Sequence, residues 1–120
     1  MYEQRILEHY RNPCREGKLE DGIQGTASNP GCGDDTAVYL NIRKDEIRQI
    51  RHQTSACAIA TASISLLADN IEGLEVDKVM RLDREWMLDL LGVDVSPMRI
   101  KCALLGLDAV QTTIQEANQC

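Results

Sequence analysis

Near residue 57 the chain changes its hydrophobic period from two residues to between three and four. Before that point, Thr36 to Ile42 alternates through Val38, Leu40 and Ile42, and Ile47 to Thr54 gives a second extended run after the charged turn Arg43-Lys44-Asp45-Glu46. Period two is the signature of a strand with one buried face, so the two runs predict an antiparallel hairpin. A shorter, more polar run from Gln24 to Ser28 is the candidate for a third strand. After that point, Ile59, Ala62, Ser63, Leu66, Leu67 and Ile71 fall on one helical face that stops at Gly73, where a C-terminal cap is expected. Helices are expected over about 75–81 and 84–91, the second carrying Trp86, Met87, Leu90 and Leu91 before Gly92. Ser96-Pro97 offers an N-cap and a first-turn proline to a last helix. Its apolar stripe runs through Ile100, Ala103, Leu104, Leu107, Val110, Ile114 and Ala117. A short amphipathic helix over 2–10, stopped by Asn12-Pro13, precedes all of these. Strands grouped ahead of helices predict an α+β domain, a small three-stranded antiparallel sheet packed against a set of helices.

With 120 residues and no repeat or linker, one domain over 1–120 is expected. Aromatic residues make up only 3% and Phe is absent, so the core must be built from aliphatic side chains around the single Trp86. The formal net charge of −6 repels phosphate backbones and anionic lipid, which argues against nucleic-acid and membrane binding. The first residues carry charges where a signal peptide needs an apolar run, and no stretch approaches the roughly 20 apolar residues of a membrane helix. A cytoplasmic location is therefore expected, with the five cysteines reduced and available for metal binding or thiol chemistry.

Three thiols and one carboxylate stand out as candidate metal ligands. Cys32 and Asp34 share the loop Asn29-Pro30-Gly31-Cys32-Gly33-Asp34, whose glycines permit the unusual backbone angles that turn both groups toward one point. Cys57 lies just before a helix and Cys102 near the start of the last one, beside Lys101. Helix N-termini and a neighbouring cation both favour thiolate, so these positions are expected to supply thiolates at one end of the domain. The spacing differs from the paired knuckles of a zinc finger, and one oxygen donor among three sulfurs suits a site that releases what it holds. On the residues alone a second reading stays open. Buried cysteines often serve as small apolar packing residues, and Asp34 and Asp35 can serve as turn residues. Cys14, after Asn12-Pro13, and Cys120 are expected to be incidental surface thiols. His9 in the first helix and His52 in an exposed strand are expected to lie off the site.

Four blocks of this chain resemble the iron–sulfur cluster scaffold family of IscU, SufU and the N-terminal domain of NifU. They are Tyr2-x-x-x-Ile6-x-x-His9-Tyr10-x-x-Pro13, then Asn29-Pro30-x-Cys32-Gly33-Asp34, then Ser55-Ala56-Cys57-Ala58-Ile59-Ala60-x-Ala62-Ser63, and finally Arg99-Ile100-Lys101-Cys102-Ala103-Leu104. The resemblance implies that Cys32, Asp34, Cys57 and Cys102 hold a transient [2Fe–2S] cluster, or zinc in its place. It implies a cysteine desulfurase and apo iron–sulfur proteins as partners, with a homodimer as a further assembly to consider. It also makes Cys102 and Cys32 the candidate persulfide acceptors, with Lys101 assisting. Lys101 stands where IscU proteins carry histidine, and Arg99-Ile100-Lys101-Cys102 is the SufU-like form. The alternative implied by that branch is a zinc-dependent sulfur acceptor that stimulates a desulfurase. The short interval from Cys57 to Cys102 is IscU-like, and Val95-Ser96-Pro97-Met98-Arg99 occupies the place of the IscU chaperone-recognition motif.

Overall fold

The computed structural model describes residues 4–29, 31 and 33–117. Three strands, β1 (Ile23–Asn29), β2 (Asp34–Arg43) and β3 (Glu46–Ser55), form an antiparallel sheet in the order β1-β2-β3. The β2–β3 turn is tight: Arg43 pairs with Glu46, and Lys44 and Asp45 between them both take positive φ, 52° and 63°. That is the primed turn whose twist matches paired strands, formed here without glycine. Antiparallel order puts the end of β1, the start of β2 and the end of β3 at one edge of the sheet, where Asn29 pairs with Asp34 and Asp35 with Ser55. Gly33 N–H donates to Asn29 O at 3.0 Å across that hairpin end, with Gly33 at φ 71°.

Five helices follow the sequence pattern: α1 (Gln4–Arg11), α2 (Ala58–Ile71), α3 (Val76–Met80), α4 (Arg84–Leu91) and α5 (Ile100–Ala117). α2 is the central element. Toward the sheet, its Ile64, Leu67 and Ile71 pack with Val38, Leu40, Ile47 and Ile50 and with Leu107, Val110 and Ile114 of α5. On its other side Ile59, Ala62 and Leu66 pack with Ile6 of α1, Leu91 of α4 and Ala103 of α5. Hence α2 is buried over nearly its whole circumference rather than along the one stripe that its period suggests, with every residue from Ile59 to Ala68 inaccessible. The close approach of α5 needs Gly106, where a Cβ would lie 2.6 Å from Ile64 Cδ1.

Boundaries differ from expectation where the local signal was ambiguous. α2 ends at an extended Glu72 and the positive φ falls one residue later, at Gly73, whose N–H turns to Ile47 O at 2.6 Å. The last helix starts with a 3₁₀ turn over Pro97–Arg99, and the Ser96 hydroxyl makes no capping bond. By contrast α4 ends as predicted, with Gly92 left-handed and Asp83 accepting from Trp86 N–H at its start. Arg5 ties α1 to that C-terminus by donating to Leu90 O and Leu91 O at 2.6 and 2.9 Å.

One expectation about the sheet is corrected. His52 is fully buried rather than exposed, because residues 15–17 lie along the outer edge of β3. His52 N–H donates to Arg15 O at 3.0 Å, and Gly17 N–H to His52 O at 2.9 Å. The segment thereby covers an edge that would otherwise offer unpaired backbone groups.

Candidate metal centre

The shared sheet edge is also where α2 and α5 begin, so five chain segments converge on one point. Asp34 opens β2, Cys57 is the N-cap of α2, and Cys102 is the third residue of α5. One donor atom from each of Asp34, Cys57 and Cys102 lies within 4.8 Å of the others, and it is the only such cluster of three among the described residues. Cys32 lies outside the described residues. A tetrahedral zinc with sulfur bonds of about 2.3 Å sets its ligands roughly 3.8 Å apart. The 3.7 Å from Cys57 Sγ to Asp34 Oδ2 already meets that spacing. The donor set therefore fits a metal ion or a small cluster with modest contraction.

Asp34 is 4% exposed, and its two oxygens are used differently. Oδ1 accepts the backbone N–H of Cys57 at 3.1 Å, placing a negative charge at the positive end of α2. Oδ2 faces the Cys57 thiol. The carboxylate is thus oriented by the helix while one oxygen stays directed toward the thiols.

Cys102 is fully buried, and its thiol is pushed up to about 12. Burial is the main cause, followed by its hydrogen bond to Asp34 and then the nearby Cys57. This reverses the expectation that the helix start and Lys101 would favour thiolate. Desolvation outweighs both, and the exposed Lys101 side chain reaches toward the β1–β2 loop, where a Cβ on Gly31 would lie 3.8 Å from Nζ. No ion pair joins Lys101 to Asp34 among the described residues. Without metal the centre therefore stores a proton on Cys102, which an incoming cation has to displace.

Asn29 was not singled out from the sequence. Its Nδ2 donates to Lys101 O at 3.3 Å, joining the hairpin to the first turn of α5 across 72 residues. Nothing in the local sequence signals so distant a partner. Neither histidine enters the centre. His9 bonds Ser65 Oγ at 2.6 Å, and His52 bonds Cys14 O and Thr54 Oγ1, each at 2.9 Å. Burial holds His52 below the usual histidine value, against the opposing pull of the Cys14 carbonyl and of Glu16. Cys14 is half-buried rather than a surface thiol, and its Sγ lies 3.9 Å from His9 Nδ1.

The chain belongs to the NifU-like N-terminal domain family, whose model matches residues 1–119. Over 116 residues it is 31% identical to the iron–sulfur cluster assembly scaffold protein IscU 1 of Archaeoglobus fulgidus, covering 95% of this chain and 74% of that protein. It is 28% identical over 128 residues to the zinc-dependent sulfurtransferase SufU of Bacillus subtilis, covering 92% and 87%. The crystal structure of the N-terminal part of a NifU-like protein from Brucella abortus superposes with a TM-score of 0.80 at 28% identity, over 98% of this chain and 95% of that one.

Proposed function

We propose that this chain is a single-domain scaffold on which iron–sulfur clusters are assembled and from which they are handed on. The observation that carries the reading is the convergence of Asp34, Cys57 and Cys102 at the starts of β2, α2 and α5, within 4.8 Å of one another. Cys32, two positions before Asp34, is the fourth ligand in this reading. The cargo is a [2Fe–2S] cluster, and thiolate ligands suit it. The partners are a cysteine desulfurase that supplies sulfur and apo-proteins that accept the finished cluster. The place of action is the cytoplasm, where thiols such as Cys14, Cys57 and Cys102 stay reduced.

Each residue has a task that follows from its surroundings. Asp34 offers Oδ2 while Oδ1 stays on the Cys57 amide, so a ligand can leave without the loss of its anchoring bond. Cys57, only half-buried, is the open side of the centre, whereas Cys102 is enclosed. Persulfide from the desulfurase is accepted at Cys32 or Cys102, the latter fully buried. Lys101 lies beside Gly31, next in sequence to Cys32, where its charge steadies an incoming persulfide anion.

The test is metal and acid-labile sulfide analysis of protein isolated without oxygen, followed by reconstitution with iron and sulfide. A visible charge-transfer band and transfer to an apo-ferredoxin are expected. One zinc per chain without sulfide, with zinc-dependent stimulation of a desulfurase, would replace this reading by the sulfur-acceptor one. The SufU-like Arg99-Ile100-Lys101-Cys102 is the feature that favours that alternative.

A further inference from the structure

A second group of reactive side chains is built around Cys14. Both backbone polar groups of this residue are held: its N–H donates to Ser65 Oγ at 2.7 Å, and its carbonyl bonds His52 Nε2 at 2.9 Å. Its Sγ lies 3.9 Å from His9 Nδ1, and that nitrogen also bonds Ser65 Oγ at 2.6 Å. The residues come from α1, the 12–17 segment, β3 and α2, so the arrangement is tertiary and not a local turn. His52 and Ser65 are fully buried, while Cys14 and His9 line an open hollow of about 340 Å³ together with Glu8 and Asn12. Ser65 lies eight residues beyond Cys57 on α2, about 12 Å along the helix axis, so the group is separate from the metal centre.

We propose that Cys14 is a second reactive thiol, which His9 equips for exchange with low-molecular-weight disulfides entering this hollow. A nucleophile with an imidazole in reach, the imidazole in turn oriented by a third group, is the arrangement that activates cysteine. With the ring proton on Nε2, the one lone pair of Nδ1 accepts from the Ser65 hydroxyl in this arrangement, and it takes the thiol proton once that hydroxyl rotates away. The 3.9 Å separation is long for a proton transfer and closes by a small rotation of the Cys14 side chain, since its backbone is fixed. The step conserves atoms and electrons. His9 Nδ1 takes the thiol proton, and the thiolate attacks one sulfur of R–S–S–R. The new bond joins Cys14 Sγ to SR as the old S–S bond breaks, and the departing RS⁻ receives the proton from His9 and leaves as RSH. Cys14 is oxidised to the mixed disulfide, and half of the small disulfide is reduced to its thiol. Glu8 on the rim favours a disulfide that carries an ammonium group, such as cystamine.

The test follows each cysteine of the full chain separately, by peptide mapping during reaction with cystamine between pH 6 and pH 9. Cys14 is expected to form the mixed disulfide roughly tenfold or more faster in the native protein than in His9→Gln, less than the ~10²–10⁴-fold of a base in direct contact because the separation is long. The dependence of that rate on pH is also expected to differ between the two proteins. Equal rates and identical profiles in the two proteins would overturn the proposal. Should His9→Gln fail to fold, as judged by circular dichroism, the native protein still decides. Cys14 reacting no faster folded than in urea, after correction for the cystamine reaction of a free cysteine standard, would also overturn it.

Discussion

Two thiol neighbourhoods lie along the same helix, and their chemistry diverges because of what faces the sulfur. At the start of α2, Cys57 meets a carboxylate and a second thiol, a set of three donors that could hold a metal ion. At the third turn, Ser65 brings Cys14 to an imidazole and a hydroxyl, so its neighbours are proton acceptors, and no cluster of three metal donors forms there among the described residues. A cysteine's role in this fold is therefore set by the groups opposite it rather than by its exposure, because Cys14 and Cys57 are both half-buried.

Removing a ligand breaks the comparison most strongly. Cys102→Ser should lower zinc affinity by roughly a hundredfold or more, since four ligands share about 10–16 kcal/mol of binding energy. Competition against a chromophoric chelator reads it, and the cystamine reactivity of Cys14 should stay as it was. Next comes Gly106→Ala, whose methyl would meet Ile64 and push α5 from α2. About 1–3 kcal/mol of stability should be lost in urea unfolding. Metal affinity should fall as well, because α2 and α5 carry Cys57 and Cys102 while Cys14 depends on α2 and β3. The smallest effect on stability is expected for Asp34→Asn, which keeps an oxygen for the Cys57 amide. Removing the negative charge should bring the Cys102 thiol down from about 12, read as thiolate absorbance appearing at lower pH. Zinc binding to the native protein should tighten as pH rises through neutrality, since the bound proton is what the metal displaces. A pH-independent affinity would contradict that account.

The elements were legible because period and turn chemistry agree locally: the Arg43 to Glu46 turn, the Gly92 cap and the Cys57 helix start all fall where the sequence placed them. What escaped was anything set by the surroundings of a residue. His52 shares parity with Ile50, so the strand period could have placed it on the buried face, but the strip of chain that covers it is centred on Glu16, 36 residues earlier. Lys101 precedes Cys102 in sequence, yet successive helical residues point about 100° apart, so adjacency overstated its influence. Burial of Cys102, the stronger effect, depends on α1, α2 and α5 packing together.

The order of synthesis gives α5 a timing role. Asp34 and Cys57 can be brought together once the hairpins and α2 have formed, since all the strand connections involved are short. The third donor travels on the helix that also lies across β1 and β2 and fills the core with Leu107, Val110 and Ile114. A chain lacking that helix has Asp34 and Cys57 without Cys102, so the cluster of three donors exists only once the last helix has docked.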